Sequence, residues 1–211
     1  MYDYYFVFYK PGKNFYTKEE IVRLKNSLTS IGFEVKEKWR MDEKEKEKII
    51  DINFSLRKSD QEFSLLLGPA EERFHGRLGQ LAIPQEQFEE DPKKNADLMI
   101  KATNIIFIEL KPLFGWGDHE LELGRLEQFL RLDKIAALAW VNFLSRELVE
   151  RLGGLDKVIQ FPNMKKSYEG RPWQFTYILL SPLPTDPVPK QIILECRQRY
   201  PGAILRIGEI A

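Results

Sequence analysis

One cysteine, Cys196, stands in the whole chain, so no intramolecular disulfide is possible and no oxidising compartment is required. Histidine is nearly as scarce, with only His75 and His119, far apart in sequence. Nucleophilic hydrolysis needs a base beside the nucleophile and a third group to orient that base. No Gly-x-Ser-x-Gly elbow is present and Cys196 sits inside an amphipathic helical pattern, so that chemistry is not expected. The glycines of Gly76-Arg77-Leu78-Gly79 and Gly153-Gly154 fit neither a phosphate loop nor a dinucleotide fingerprint, and no cofactor or resident metal is implied. Net charge is missing as well: 32 basic residues balance 32 acidic ones. Such a chain lacks the positive field that draws proteins to nucleic acid, although a local patch remains open. No apolar run approaches the roughly 18 residues of a membrane helix. The apolar start, Met1 to Tyr9, is too short for a signal peptide and has no basic leader or small-residue cleavage site, which predicts a cytoplasmic protein with no membrane partner.

What is present is an ordinary globular composition, 43% hydrophobic and 30% charged over 211 residues. That is enough chain for one large domain or two small ones. Tyr2 to Tyr9 reads as a strand ending at Pro11-Gly12. Thr17 and Glu20 form a capping box, and Ile21, Leu24, Leu28 and Ile31 share the face of the helix that follows, with Gly32 as its left-handed stop. Strands are predicted over Phe33–Trp39, Ile49–Leu56 and Phe63–Leu67, the second alternating Ile50, Ile52, Phe54 and Leu56 with polar residues. Between the first two, the acids and bases of Asp42 to Lys48 alternate as a solvated, self-neutralising turn should.

Residues 1–69 therefore make a β-α-β-β-β subregion. Residues 70–95, polar and punctuated by Pro84 and Pro92, read as a connecting loop region holding one short helix near Gln85–Glu89. Residues 96–211 form a C-terminal α/β subregion. Within it His119–Leu132 is an amphipathic helix and Ile135–Phe143 a continuous apolar strand buried on both faces. Ser145 caps a helix over Arg146–Leu152 that Gly153 ends. Further strands are expected at Val158–Phe161 and Trp173–Leu180, then a helix over Gln191–Tyr200 and a closing strand at Ala203–Ile207. The fold class is α+β: a mixed or mainly antiparallel sheet flanked by helices, two subregions in one compact unit.

Two segments carry candidate chemistry. In Gly115-Trp116-Gly117-Asp118-His119-Glu120 a tryptophan lies between glycines, which suits a tight turn carrying a large side chain. Trp116, Asp118 and His119 are the binding candidates there. Asp118, His119 and Glu122 suggest a contact or metal site, but Asp118 as a helix cap with Glu120 and Glu122 in the first turn explains the acids without a ligand. The second segment, Asp97 to Lys111, resembles the PD-(D/E)XK nucleases: an acid, a dozen residues, then Glu109-x-Lys111. That resemblance implies Mg²⁺ held by Asp97 and Glu109, with Lys111 assisting attack on phosphorus and Gln128 on the next helix. It requires residues 105–111 to be a strand, which would put Glu109 and Lys111 on one face. Ala96 stands where those nucleases have proline. The alternative makes Ala96–Leu110 a helix, with Leu98, Met99, Ala102, Ile105, Ile106 and Leu110 on one broad face and the catalytic set dispersed.

A longer pattern favours the helix. Lys111-Pro-Leu-Phe-Gly-Trp-Gly-Asp118, then Leu138-Ala-Trp-Val-Asn-Phe-Leu-Ser-Arg-Glu-Leu-Val-Glu-Arg-Leu-Gly153, then Ile178 to Pro182 resemble immunity proteins of bacterial polymorphic-toxin and type VI secretion systems and their uncharacterised relatives, over roughly residues 95–208. The resemblance implies an α+β, non-enzymatic module that binds a cognate toxin. A Mg²⁺-dependent nuclease, or a structural or regulatory protein, are the competing functions.

Overall fold

A computed structural model of the chain describes residues 3–12, 16–41, 49–71, 76–119, 137–154, 165–166, 175–202 and 204–205. It is α+β, and it divides into two compact units, Met1–Leu113 and Phe114–Ala211.

The first unit runs β1 (Asp3–Pro11), α1 (Lys18–Ser30), β2 (Glu34–Met41), β3 (Ile49–Lys58), β4 (Gln61–Glu71), β5 (Gly76–Pro84), α2 (Gln85–Glu90) and α3 (Pro92–Leu110). Its strands lie in the order β2-β3-β4-β5-β1, each antiparallel to its neighbour. One face carries Phe6, Phe8, Ile52, Phe54, Leu56, Phe63, Leu65, Leu67, Leu81 and Ile83, all buried. Ile21, Leu24 and Leu28 of α1 and Ala102, Ile106, Phe107 and Leu110 of α3 are buried with them. The Phe107 ring meets Phe6 edge-on at 6.3 Å, which seats α3 on the sheet. Tyr4 stacks on Phe88 of α2 at 3.8 Å.

Local chemistry starts α1 where the capping box predicts. Thr17 Oγ1 accepts from the Glu20 N–H (3.1 Å) and Glu20 Oε2 from the Thr17 N–H (2.9 Å). Gly32, at φ +93°, turns the chain into β2. Asp91 caps α3 through the Lys94 N–H and Pro92 takes its first turn, where a missing N–H costs nothing.

The expected connecting loop over 70–95 is corrected. β5 occupies its middle, pairs with both β1 and β4, and is largely buried. The boundary between units falls instead at Leu113/Phe114. Two tertiary features turn this glycine-rich, polar segment into a central strand. Gly79 lies directly beneath the Phe8 ring, where an added Cβ would collide with the aromatic carbons. Arg77, 1% exposed, donates from Nη1 to the carbonyls of Gly68 (3.3 Å) and Ile50 (3.4 Å). Those bonds lie beside the register shift in β4 between Leu67 and Ala70, and that bulge lets the strand continue past Pro69 to Glu71.

The second unit contains β6 (Phe114–His119), β7 (Ala137–Leu138), β8 (Val141–Ser145), α4 (Arg146–Arg151), β9 (Lys165–Lys166), β10 (Phe175–Leu179), α5 (Lys190–Arg199) and β11 (Ile204–Leu205). β6, β8, β10 and β9 pair antiparallel in that order, and β7 and β11 form a separate parallel pair. Phe143 stacks on Tyr177 (5.0 Å) and lies 5.7 Å from Phe175, so aromatic contacts join β8 to β10. Ser145 caps α4 through the Leu148 N–H, and Gly153 ends it at φ +98°. The expected single strand over Ile135–Phe143 is two strands, separated at Ala139–Trp140. Of the expected helix over His119–Leu132 only His119 is among the described residues, and it ends β6; residues 120–132, the strand over residues 158–161, the charged turn over residues 42–48, His75 and Trp173 lie outside them.

Candidate functional site

Asp97, Glu109 and Lys111 do not come together. α3 is helical from Pro92 to Leu110, so Asp97 and Glu109, twelve residues apart, are separated by about 18 Å along its axis. Lys111 is the left-handed C-cap, at φ +51°. Asp97 is exposed, whereas Glu109 turns toward α1, accepting from Ser27 Oγ (2.7 Å) and pairing with Arg23 Nε (3.5 Å). This geometry rules out the nuclease arrangement, which needs the three side chains around one ion. Gln128 lies outside the described residues.

The Trp116 segment is corrected too. Phe114–His119 is a strand, and Trp116 is 2% exposed and stacked on Phe114 at 5.2 Å. Its flanking glycines do not make a turn: Gly115 and Gly117 pair with Phe143 and Val141 of β8. Trp116 therefore offers no surface for a partner.

Asp118 is buried and works as a backbone acceptor. Oδ2 takes the Trp140 N–H (3.0 Å) and Oδ1 takes the His119 N–H (2.9 Å). Asn142 grips the same corner, accepting from the Ala139 N–H (2.9 Å) and donating to the Ala139 carbonyl (2.8 Å). Trp140 Nε1 donates to the Ser181 carbonyl (3.0 Å), and the Leu180 N–H to the Trp140 carbonyl (2.9 Å). The three stretches that carry the resemblance to immunity proteins thus meet in one hydrogen-bonded corner, where β7 breaks and β8 begins. Their polar residues replace ladder bonds lost at the kink, a structural task. His119 is half-buried at the end of β6, and Glu122 lies outside the described residues. Among the described residues no three His, Cys, Asp or Glu side chains cluster as metal ligands, and no helix is long and apolar enough to cross a membrane.

A partly buried polar cluster in the first unit likewise serves the fold. Lys10 Nζ binds Glu20 Oε1 (2.7 Å) and lies 5.4 Å from the Tyr16 ring, with the Arg77 guanidinium 5.0 Å from the same ring. Burial works to raise the Glu20 pKa, but hydrogen bonds from Lys10 and the Thr17 N–H outweigh it and hold the carboxyl below its usual range. Burial raises the Tyr16 phenol, so it stays neutral. Cys196 is buried in α5, and burial first, then the Glu195 charge, pushes its thiol up to about 12, far from a nucleophile's range.

The described surface offers one concavity of a different kind. The face of the first sheet opposite its core bears Lys36 and Lys38 (β2), Asn53 and Ser55 (β3), Glu62 and Ser64 (β4) and Ala82 (β5), all on the outward beat of the pleat. These residues, with Pro84 and Gln87, line a groove of about 540 Å³. The Lys36–Ser55–Ser64–Ala82 row is continuous in register across four strands, and its three small members make the floor. Gln87 Oε1 accepts the Glu62 N–H (3.1 Å), and Ser55 Oγ donates to Glu62 Oε1 (3.1 Å), which fixes the α2 rim. Sequence reading missed this groove because no stretch of chain contains it. Its only local trace is the polar beat of β3 and β4, and register decides which polar residues meet.

No protein family matches the chain, and no curated protein matches it. Among solved structures its fold is similar to that of the Pseudomonas aeruginosa T6SS protein PA0821, with a TM-score of 0.53 at 12% identity over 97% of this chain and 73% of that one.

Proposed function

We propose that this chain is a non-enzymatic protein-binding module of a type VI secretion or related toxin system, immunity-like in that it neutralises a cognate toxin in the cytoplasm. The observation that carries this reading is the fold similarity to a T6SS protein along nearly the whole chain. Fold alone does not confer function. The arrangement of the residues adds to the argument: the side chains expected to do nuclease chemistry are dispersed along α3, and those expected to touch a ligand at Trp116 and Asp118 hold a strand corner. A groove on a rigid sheet suits recognition better than turnover.

The test is genetic and biochemical. Each protein encoded beside this gene is expressed alone in a bacterial host and then with this chain. One neighbour should arrest growth, co-expression should restore it, and the two purified proteins should elute together from a sizing column. Arrest that persists, with no co-elution of any neighbour, overturns the immunity reading.

A further inference from the structure

We propose that the groove on the open face of the first unit's sheet is a docking surface for an acidic segment of a protein partner, with carboxylates meeting Lys36 and Lys38 and an apolar side chain resting on the Ser55–Ser64–Ala82 floor. The proposal deepens the binding-module reading and rests on it. An antiparallel sheet with one face in water needs no partner to be stable, so exposure alone says little. Charge and shape add the rest.

Three of this face's cations stand on β2, at Lys36, Lys38 and Arg40, while a fourth, Arg57 of β3, lies in register between Glu34 and Glu62. Arg40 is held by Asp51 of β3. Lys36 reaches Glu34 at 3.3 Å, but with 78% and 60% of these side chains exposed the pair exchanges readily for a better acid. Lys38 has no acidic partner among the described residues, and directly across from it stands Asn53, whose amide is a second donor. Next in that row comes Leu66, 39% exposed and one of the few large apolar side chains the described surface presents. An ammonium and an amide beside an apolar side chain and a floor of small residues match a segment that alternates carboxylate and apolar groups. At the α2 rim Glu62 faces Arg57 in register, so the rim's charges offset one another and the lysines on the β2 side are where the segment's carboxylates would settle. The same rim argues against a nucleic-acid occupant, because phosphates recur at every step and one would fall where no net positive charge meets it.

The experiment uses the ¹⁵N-labelled full chain. It is titrated with a short acetylated peptide alternating glutamate and leucine, with the same peptide carrying glutamine for glutamate, and with oligothymidylate. The acidic peptide should shift amide signals of Lys38, Asn53, Ser55 and Ser64, and the glutamine peptide should bind more weakly. Lys38→Glu should weaken the acidic peptide by at least about tenfold, with Lys38→Gln intermediate. Both replace an exposed side chain, so an unchanged spectrum elsewhere confirms the fold. The proposal is overturned by no binding, by equal binding of the glutamine peptide, by shifts confined to other elements, or by oligothymidylate binding this face as tightly. The two readings can fail separately. A toxin bound equally by wild type and Lys38→Glu refutes the groove and leaves the module standing. A chain that binds the acidic peptide but no neighbouring gene product does the reverse.

Discussion

Replacing Asp118 by alanine tests whether the Gly-Trp-Gly-Asp motif is structural. In the native protein the carboxylate accepts the Trp140 and His119 N–H groups at 3.0 and 2.9 Å. The Trp140 bond lies in the interior, at a kink where β8 has not yet begun and no ladder partner replaces it. Alanine would strand that N–H. Losing a charge-assisted hydrogen bond and leaving a buried donor unsatisfied costs about 2–3 kcal/mol. Part of that is recovered if water enters the space vacated by the carboxylate. A net loss of about 2 kcal/mol is expected, a large share of a domain's typical margin. Urea denaturation followed by tryptophan fluorescence reads it, since the midpoint should drop while the slope stays constant. Asp118→Asn keeps one acceptor oxygen and should lose less. A stability change below about 0.5 kcal/mol, the range of ordinary surface substitutions, would refute the corner's structural role. If Asp118→Ala also abolished binding of the proposed partner while stability held, the residue would belong to a recognition surface after all.

Val141→Asp should prevent folding or cost several kcal/mol, because Val141 is 2% exposed on a strand paired on both sides and an unpaired buried charge has nowhere to go; a soluble variant with an unchanged melting temperature would contradict the burial. Cys196, with its thiol pushed up to about 12, should resist an aromatic disulfide reagent at pH 8 in the native protein and react fully in urea; rapid native reaction would show that α5 does not bury it. The same shift makes stability fall with rising pH: below the unfolded thiol's pKa of about 8.5 the contribution is intact, and it is lost as pH climbs from there toward 12, because only the unfolded state ionises in that window. Cys196→Ala should flatten that decline in part, leaving the share of Tyr200, also raised to about 12.

Elements fixed by neighbouring residues were legible in the sequence. The Thr17/Glu20 capping box, the Ser145 cap and the alternation of β3 all act within a few positions of themselves, and each lies where local pattern put it. α3 was harder, because Ile100, Phe107 and Ile108 lie off the apolar face that the sequence pattern gives the helix, and only the longer downstream pattern favoured it over a strand. The failures share a cause. β5 was hidden because Arg77 is stabilised by carbonyls of β3 and β4 and by the Tyr16 ring, and because Gly79 makes room for Phe8 on another strand. Trp116 looked like a turn because two glycines flank it, yet a ladder to β8 holds all three extended. The 135–143 run looked continuous because apolar periodicity cannot register a kink made by Asp118 and Asn142.

These two kinds of residue bear differently on function. The corner residues that carry the resemblance to immunity proteins spend their polar atoms on backbone groups, so most replacements there cost stability. The groove residues have the opposite economy. Lys36, Lys38, Asn53 and Ser64 are exposed, and exchanging such side chains usually changes stability by no more than about 0.5 kcal/mol. The proposed binding module would need a surface whose chemistry can change without endangering the fold, and the open face of a well-packed sheet provides it. The motif that suggests what kind of protein this is and the surface that would choose its partner are therefore expected to lie in different residues. Motif reading pointed to Trp116 and Asp118, which the fold has already claimed, while the small floor between Lys38 and Glu62 has no motif and remains open to a ligand.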